Sequence, residues 1–207
     1  MFVQRLEVMR FESTFNPYRD RCEHADVPSA PLIRRQNLVA ALEAGVRCGV
    51  HSLWVGRDLG HRGGRRTGLA FTDDQSLSCW REVLGPLQLD RATTGPTVRE
   101  QSASTIWPTA LGLKARIFLW NAFPFHPFKP GNPLSNRCHT RAEADACAFA
   151  LHWLIKSLRP NLIVAIGLDS SKALKRAEIG HATVRHPSHG GQPEFRAGIQ
   201  RLYGAGS

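Results

Sequence analysis

Three short stretches of this chain carry most of its chemically capable side chains. The first is Gly56-Arg57-Asp58-Leu59-Gly60-His61, continuing through Arg62, Arg65 and Arg66 to Gly68-Leu69-Ala70-Phe71. A carboxylate among glycines can orient water or face a cation, and glycine lets the backbone approach a ligand closely. A solvated basic loop would have the same composition. A nucleotide P-loop is not supported, because no Gly-Lys-Ser/Thr follows the glycines. The second stretch is Asn121-Ala122-Phe123-Pro124-Phe125-His126-Pro127. An asparagine ending an apolar run either bonds its own backbone or offers an acceptor and two donors to a ligand. The third is His186-Pro187-Ser188-His189-Gly190-Gly191. An imidazole there can donate to a developing negative charge. His-x-x-His would also fit half of a metal site, but no third ligand stands at matching spacing; for His189 a structural histidine is the stronger reading.

The elements that must position these stretches follow from hydrophobic patterning. Residues 51–56, 116–121, 161–167 and 181–186 read as short buried strands. Helical spacing marks 36–46, 141–158, 170–178 and a segment opening at Pro193. Thr140 and Glu143 have the spacing of a capping box, and Asp169 or Ser170 is the expected cap of the third helix. Alternating strands and helices predict an α/β chain. The expected form is a three-layer α/β/α sandwich around a short, mostly parallel four-stranded sheet. One domain spans 1–207, with residues 1–35 an N-terminal extension packed on it; 85–110 is ambiguous. Three of the strands run directly into the three polar stretches. Ligands of open α/β sheets bind at the carboxyl ends of strands, so the three converge on one edge.

Lysine and arginine number 27 against 17 acidic residues, a net charge of +10 that favours a polyanion, nucleic acid before membrane. Charges interrupt every apolar stretch of the N-terminus, and no run approaches a membrane span. The five cysteines are widely spaced without a Cys-x-x-Cys pair. A cytoplasmic, reduced setting, a monomer and neither metal nor cofactor are the expectations.

The three motifs, in this order, resemble the uracil-DNA glycosylase superfamily over about residues 50–195. The first aligns without a gap to the Gly-Gln-Asp-Pro-Tyr-His motif and its Gly-Leu-Cys-Phe tail. The resemblance implies base release from uracil-containing DNA, single- or double-stranded, by flipping the nucleotide out of the stack. In that scheme Asp58 positions the attacking water and faces the sugar cation, while Phe71 stacks on the base. Asn121 reads its Watson–Crick edge, accepting from N3–H and donating to O4. His186 donates to O2, where negative charge accumulates. Gly56, Arg57 and Gly60 complete the base pocket; Arg62, Arg65, Arg66, Ser188, His189 and Gly190 face the DNA. No lysine is required as a Schiff-base nucleophile, so strand cleavage by β-elimination is not expected.

Three positions depart from the prototype pattern. Gly60 replaces the tyrosine that blocks the C5 methyl of thymine, leaving that position open. Leu59 replaces a proline, which loosens the loop, and Gly190 sits where a leucine wedges into the base stack. The open position at 60 motivates an alternative activity on hypoxanthine, xanthine or mispaired thymine. A non-catalytic uracil-DNA-binding protein is a further alternative, against which Asp58 and His186 argue because binding alone needs neither. A metabolic enzyme holding phosphate in the glycine-rich loop is the remaining one.

Overall fold

The computed structural model describes residues 2–204. Its order is α1 (Phe2–Val8), β1 (Thr14–Phe15), α2 (Ala30–Cys48), β2 (Ser52–Asp58), α3 (Gly64–Thr67), α4 (Cys79–Leu84), α5 (Ala103–Gly112), β3 (Ile117–Phe123), β4 (His126–Pro127), α6 (Arg141–Leu158), β5 (Leu162–Ile166), α7 (Leu168–Arg176), β6 (Ala182–Val184) and α8 (Gln192–Gly204).

Four strands form one sheet in the order β3-β2-β5-β6, every pair parallel. Their apolar runs are continuous because helices cover the sheet, as parallel sheets require. Trp54 and Phe118, on neighbouring strands, are both fully buried. Trp80 packs edge-on against Phe118 at 5.3 Å, and Phe195 of α8 meets Trp54 at 6.0 Å. The register sets Gly56 opposite Asn121 and Val55 opposite Ala165. In sequence the first sheet strand is β2, the second lies on one side of it and the third on the other. The chain therefore reverses direction across the sheet between β2 and β5, and α/β sheets bind ligands at that switch point.

The four expected strands and the expected α/β layering are present, with shifted ends. β3 continues two residues past Asn121, so that residue lies inside a strand rather than terminating it. β6 stops at Val184, leaving His186 in the following loop. α7 starts at Leu168 with Gly167 as its cap, because the Ser170 hydroxyl bonds back to the Ile166 and Gly167 carbonyls instead of capping from outside. α2 is longer than the 36–46 spacing indicated, and the ambiguous 85–110 stretch holds the start of α5. The Thr140 capping box of α6 is complete on both sides.

The N-terminal segment is tied to the loop after β2. Asn16 donates its side-chain amide to the Leu6, Glu7 and Met9 carbonyls, closing the end of α1. The Tyr18 hydroxyl donates to the Gly68 carbonyl at 2.8 Å. Arg34, with no side-chain exposure, pairs with buried Asp26 and donates from Nε to the Arg66 carbonyl at 2.8 Å. Gly68 has φ +76°, and an added methyl would lie 2.9 Å from Arg34 Cβ, so glycine is needed there on both counts. Breaking a buried pair from one side leaves an uncompensated charge, which costs about 3–5 kcal/mol. Asp26→Ala is therefore expected to lower unfolding stability by that amount in urea titration, and Asp26→Leu with Arg34→Met by clearly less. Equal losses from the single and the double substitution would show that the charge pairing is not what matters.

Candidate active site

A cavity of about 480 Å³ opens at the switch point, between the end of β2 and the start of α7. Arg57, Asp58 and Gly60 line it from β2 and its loop, and Phe71 from the end of that loop. Gly167 and Asp169 enter from beyond β5, and His186, Ser188 and His189 from the loop after β6. Residues 58, 71 and 186 thus share one hollow, although more than a hundred positions separate the first from the last.

Asp58 is held rigidly. Its Oδ2 accepts from Arg57 Nε at 2.8 Å and from the His139 backbone N–H at 3.2 Å, and the His139 ring lies 3.5 Å away. Its Oδ1 has only a long contact to Arg57 Nη2, at 3.5 Å, which leaves that oxygen for a water. Arg57 itself is committed to Asp58 and, more loosely, to Asp169 at 3.4 Å.

Phe71 and Asn121 meet over Gly56. A methyl group on Gly56 would collide with both the Phe71 ring tip and Asn121 Oδ1, so the close approach demands glycine. Asn121 is buried and its Oδ1 has no hydrogen-bond partner. An unpaired buried acceptor costs about 1–3 kcal/mol, which a ligand donor would recover. The amide is not among the residues that line the cavity; it lies behind them, beside Gly56 and the tip of the Phe71 ring. Phe71 has φ +53°, a strained backbone for an aromatic residue, and its carbonyl accepts from Trp107 Nε1 at 2.9 Å. Strain of this kind concentrates at functional sites.

His186 lies 6.4 Å, centroid to centroid, from Phe71. Its Nδ1 accepts from the Ser188 N–H at 3.1 Å and pairs with the Ser188 hydroxyl at 2.7 Å. Burial, then the Arg57, Arg185 and His189 charges, push its pKa down to about 4. The ring is neutral at pH 7 and, with Nδ1 accepting, carries its proton on Nε2.

The structure corrects several expectations for the basic loop. Arg65 is turned inward: it donates to the Pro133 carbonyl at 3.0 Å, bonds His126 Nδ1 at 3.2 Å and stacks on Phe15 at 3.8 Å. Arg66 is paired with buried Asp74 at 2.8 Å. Neither guanidinium is free for phosphate, whereas Arg62 is exposed, as are His189 and Gly190 at the tip of the last loop. Leu59 does not loosen the loop; its N–H donates to the Phe125 carbonyl at 3.0 Å, a bond proline could not make. A second cavity of about 490 Å³ lies beside this loop and carries His24, His61, Arg62 and Arg99.

The position opposite Gly60 is not open either. The Glu100 carboxyl occupies it: a methyl on Gly60 would lie 2.6 Å from Glu100 Oε1. Glu100 lines the main cavity and has a closed-off Oε2 without a hydrogen-bond partner. Burial pushes its pKa up to about 7, with Asp73 and Asp58 adding to the rise and the Ser102 side chain opposing it. Sequence reading missed Glu100, His139 and Asn136. The first comes from the ambiguous stretch, and the others precede α6 without any pattern to single them out. Asn136 Oδ1 accepts from the His61 N–H at 3.1 Å and thereby ties this segment to the glycine loop.

Comparison with known proteins gives two findings. The family model described as the Uracil DNA glycosylase superfamily matches residues 49–198. The crystal structure of wild-type Pedobacter heparinus SMUG2 superposes with a TM-score of 0.56 at 14% identity, over 98% of this chain and 94% of that one. At that identity the likeness speaks for the fold. No curated protein matches the chain.

Because the folded state holds His186 neutral, it resists protonation between pH 6.5 and about 4 and loses stability as pH falls through that window. Ring-proton NMR is expected to show His186 titrating well below pH 6. A midpoint near 6.5 would mean that the imidazole is not desolvated.

Proposed function

The chain belongs to the uracil DNA glycosylase superfamily, and on that footing we propose that it hydrolyses the N-glycosidic bond of uracil in DNA. The observation that carries this reading is the sharing of one strand-end cavity by Asp58, Phe71 and His186, with the unpartnered Asn121 Oδ1 packed beside Gly56 and the Phe71 ring behind that lining.

Stacking hides the glycosidic bond inside a duplex, so the nucleotide is rotated out into the cavity. The base stacks on Phe71, and Asn121 Oδ1 accepts from N3–H. As the C–N bond breaks, positive charge develops on the sugar and negative charge on the base. Asp58, anchored through Oδ2, faces the sugar and holds the attacking water on Oδ1. The neutral His186 ring donates Nε2–H to O2 of the departing base. Fixed groups placed where charge develops need no reorganisation during the reaction, and one such donor is worth about 10²–10³ in rate. Arg62 and the basic cleft with His24, His61 and Arg99 supply phosphate attraction, while Ser188 and His189 of the cavity lining, with exposed Gly190 next in the chain, are offered to the backbone.

The Glu100 carboxyl opposite Gly60 removes the reason for favouring a larger or methylated base. Among the described residues no helix is long and apolar enough to cross a membrane.

Asp58→Asn is expected to retain DNA binding and lower single-turnover uracil release by at least about 10²-fold, within the range of positioned acid–base groups. A near-native rate would remove Asp58 from this role. Asn121→Asp is expected to raise release of cytosine relative to uracil, because a carboxylate accepts from the cytosine amino group. An unchanged preference with activity intact would make Asn121 structural.

A further inference from the structure

Glu100 has no part in the chemistry described so far, yet its carboxyl is built into the cavity wall. The Glu100 backbone N–H donates to Asp73 Oδ2 at 2.7 Å, which fixes the residue ahead of α5. Its side chain fills the hollow that Gly60 and Gly63 leave, and a methyl at either glycine would meet a carboxyl oxygen. Two side-chain-free positions facing one carboxyl reserve that space for it. Oε2 is buried and unpartnered, a state that costs free energy and is tolerated where a ligand or a function requires it.

On the reading above, the pyrimidine is contacted at N3 by Asn121 and at O2 by His186, with N1 carrying the sugar beside Asp58. The edge left over is C5–C6, and the wall left over is Gly60 with Glu100. We propose that Glu100 is a specificity-determining residue whose carboxyl excludes a C5 methyl by polarity rather than by bulk. With Oε2 already shut off, a methyl pressed on the carboxyl closes the oxygen that still faces the cavity and returns no hydrogen bond, whereas the C5–H of uracil leaves room beside it. Thymine is thus refused by the desolvation of a polar wall.

The same wall makes the site sensitive to pH. Glu100 faces Asp58 from β2 and Asp73 from the segment after α3; Arg57, Lys172, Arg185 and His186 lie around the same cavity. With a pKa of about 7, the carboxyl is neutral in mildly acidic solution and ionised in mildly alkaline solution. Once ionised, it opposes the negative charge that forms on the departing base.

The test uses the full chain on oligonucleotides bearing uracil or mispaired thymine, under single-turnover conditions. For the native protein, kcat/KM on uracil is expected to fall about tenfold between pH 6 and 9, equivalent to about 1.4 kcal/mol, and Glu100→Gln is expected to abolish that fall. Glu100→Leu, which keeps bulk and removes polarity, is expected to raise the thymine-to-uracil ratio at least tenfold, and Glu100→Gln to leave the ratio low. Glu100→Ala raising the ratio while Glu100→Leu does not would show exclusion by bulk and overturn the proposal. So would a native pH profile unaltered in Glu100→Gln, or a ratio indifferent to every substitution. Absence of release from either base by the native chain would instead defeat the glycosylase reading, and this inference with it.

Discussion

The parallel pairing of β2 on both its edges is the constraint from which the site follows. With β3 on one side and β5 on the other, every backbone group of its apolar run is bonded within the sheet. Such a strand has no freedom to slide. Side chains alternate between faces, and a slip of one residue would turn Asp58 and Gly56 to the wrong sides. The observed register instead puts Gly56 beside Asn121, where the missing side chain becomes the space in which Phe71 and the amide meet. The placement of Gly56, Asp58 and Asn121 is inherited from hydrogen bonds in the middle of the sheet.

A second layer of restraint comes from outside the sheet. The loop from Gly60 to Phe71 is long and rich in glycine, and such a segment would move freely if left alone. It is pinned at four points instead: Tyr18 on Gly68, Arg34 on Arg66, Leu59 on Phe125, and Arg65 on Pro133. Three arginines in this region are consumed in holding it. That explains why the positive charge of the loop overstates what is available for phosphate. It also gives the N-terminal segment a purpose, since Tyr18 clamps Gly68 directly and Asp26 pairs with Arg34 of α2, which holds Arg66.

Sequence patterning carried the sheet, the helices after it and the three clusters at the strand ends. Strong periodicity, a full capping box at Thr140 and short apolar runs are local signals, and local signals survive in a one-dimensional reading. What escaped was set by tertiary contacts. Nothing near Arg65 announces that Phe15 and His126 enclose it, and nothing near Glu100 announces that Gly60 and Gly63 leave it room. The vacancy at Gly60 was legible; its occupant, forty residues away, was not. Strand ends also shifted, because β3 continues on hydrogen bonds to β2 that no local residue preference dictates.

Asp58, Glu100 and Asp169 line the cavity together with His186 and His189, and the surroundings of Asp58, Glu100 and His186 differ sharply. Asp58 has a guanidinium at 2.8 Å and a backbone N–H against its carboxyl oxygens. Glu100 has neither; burial dominates and keeps its proton near neutrality. His186 is desolvated beside cationic neighbours, which removes its proton from Nδ1 and leaves a donor at Nε2. Were Glu100 ionised as well, its charge would join those of Asp58 and Asp169 around a cavity that also carries Arg57, Lys172 and Arg185. On the proposed reading, a neutral Glu100 and a neutral His186 add no charge to the side of the cavity that would receive the base anion. On the proposed reading, the separation of charge that the reaction would create is thus prepared by an asymmetry of environment.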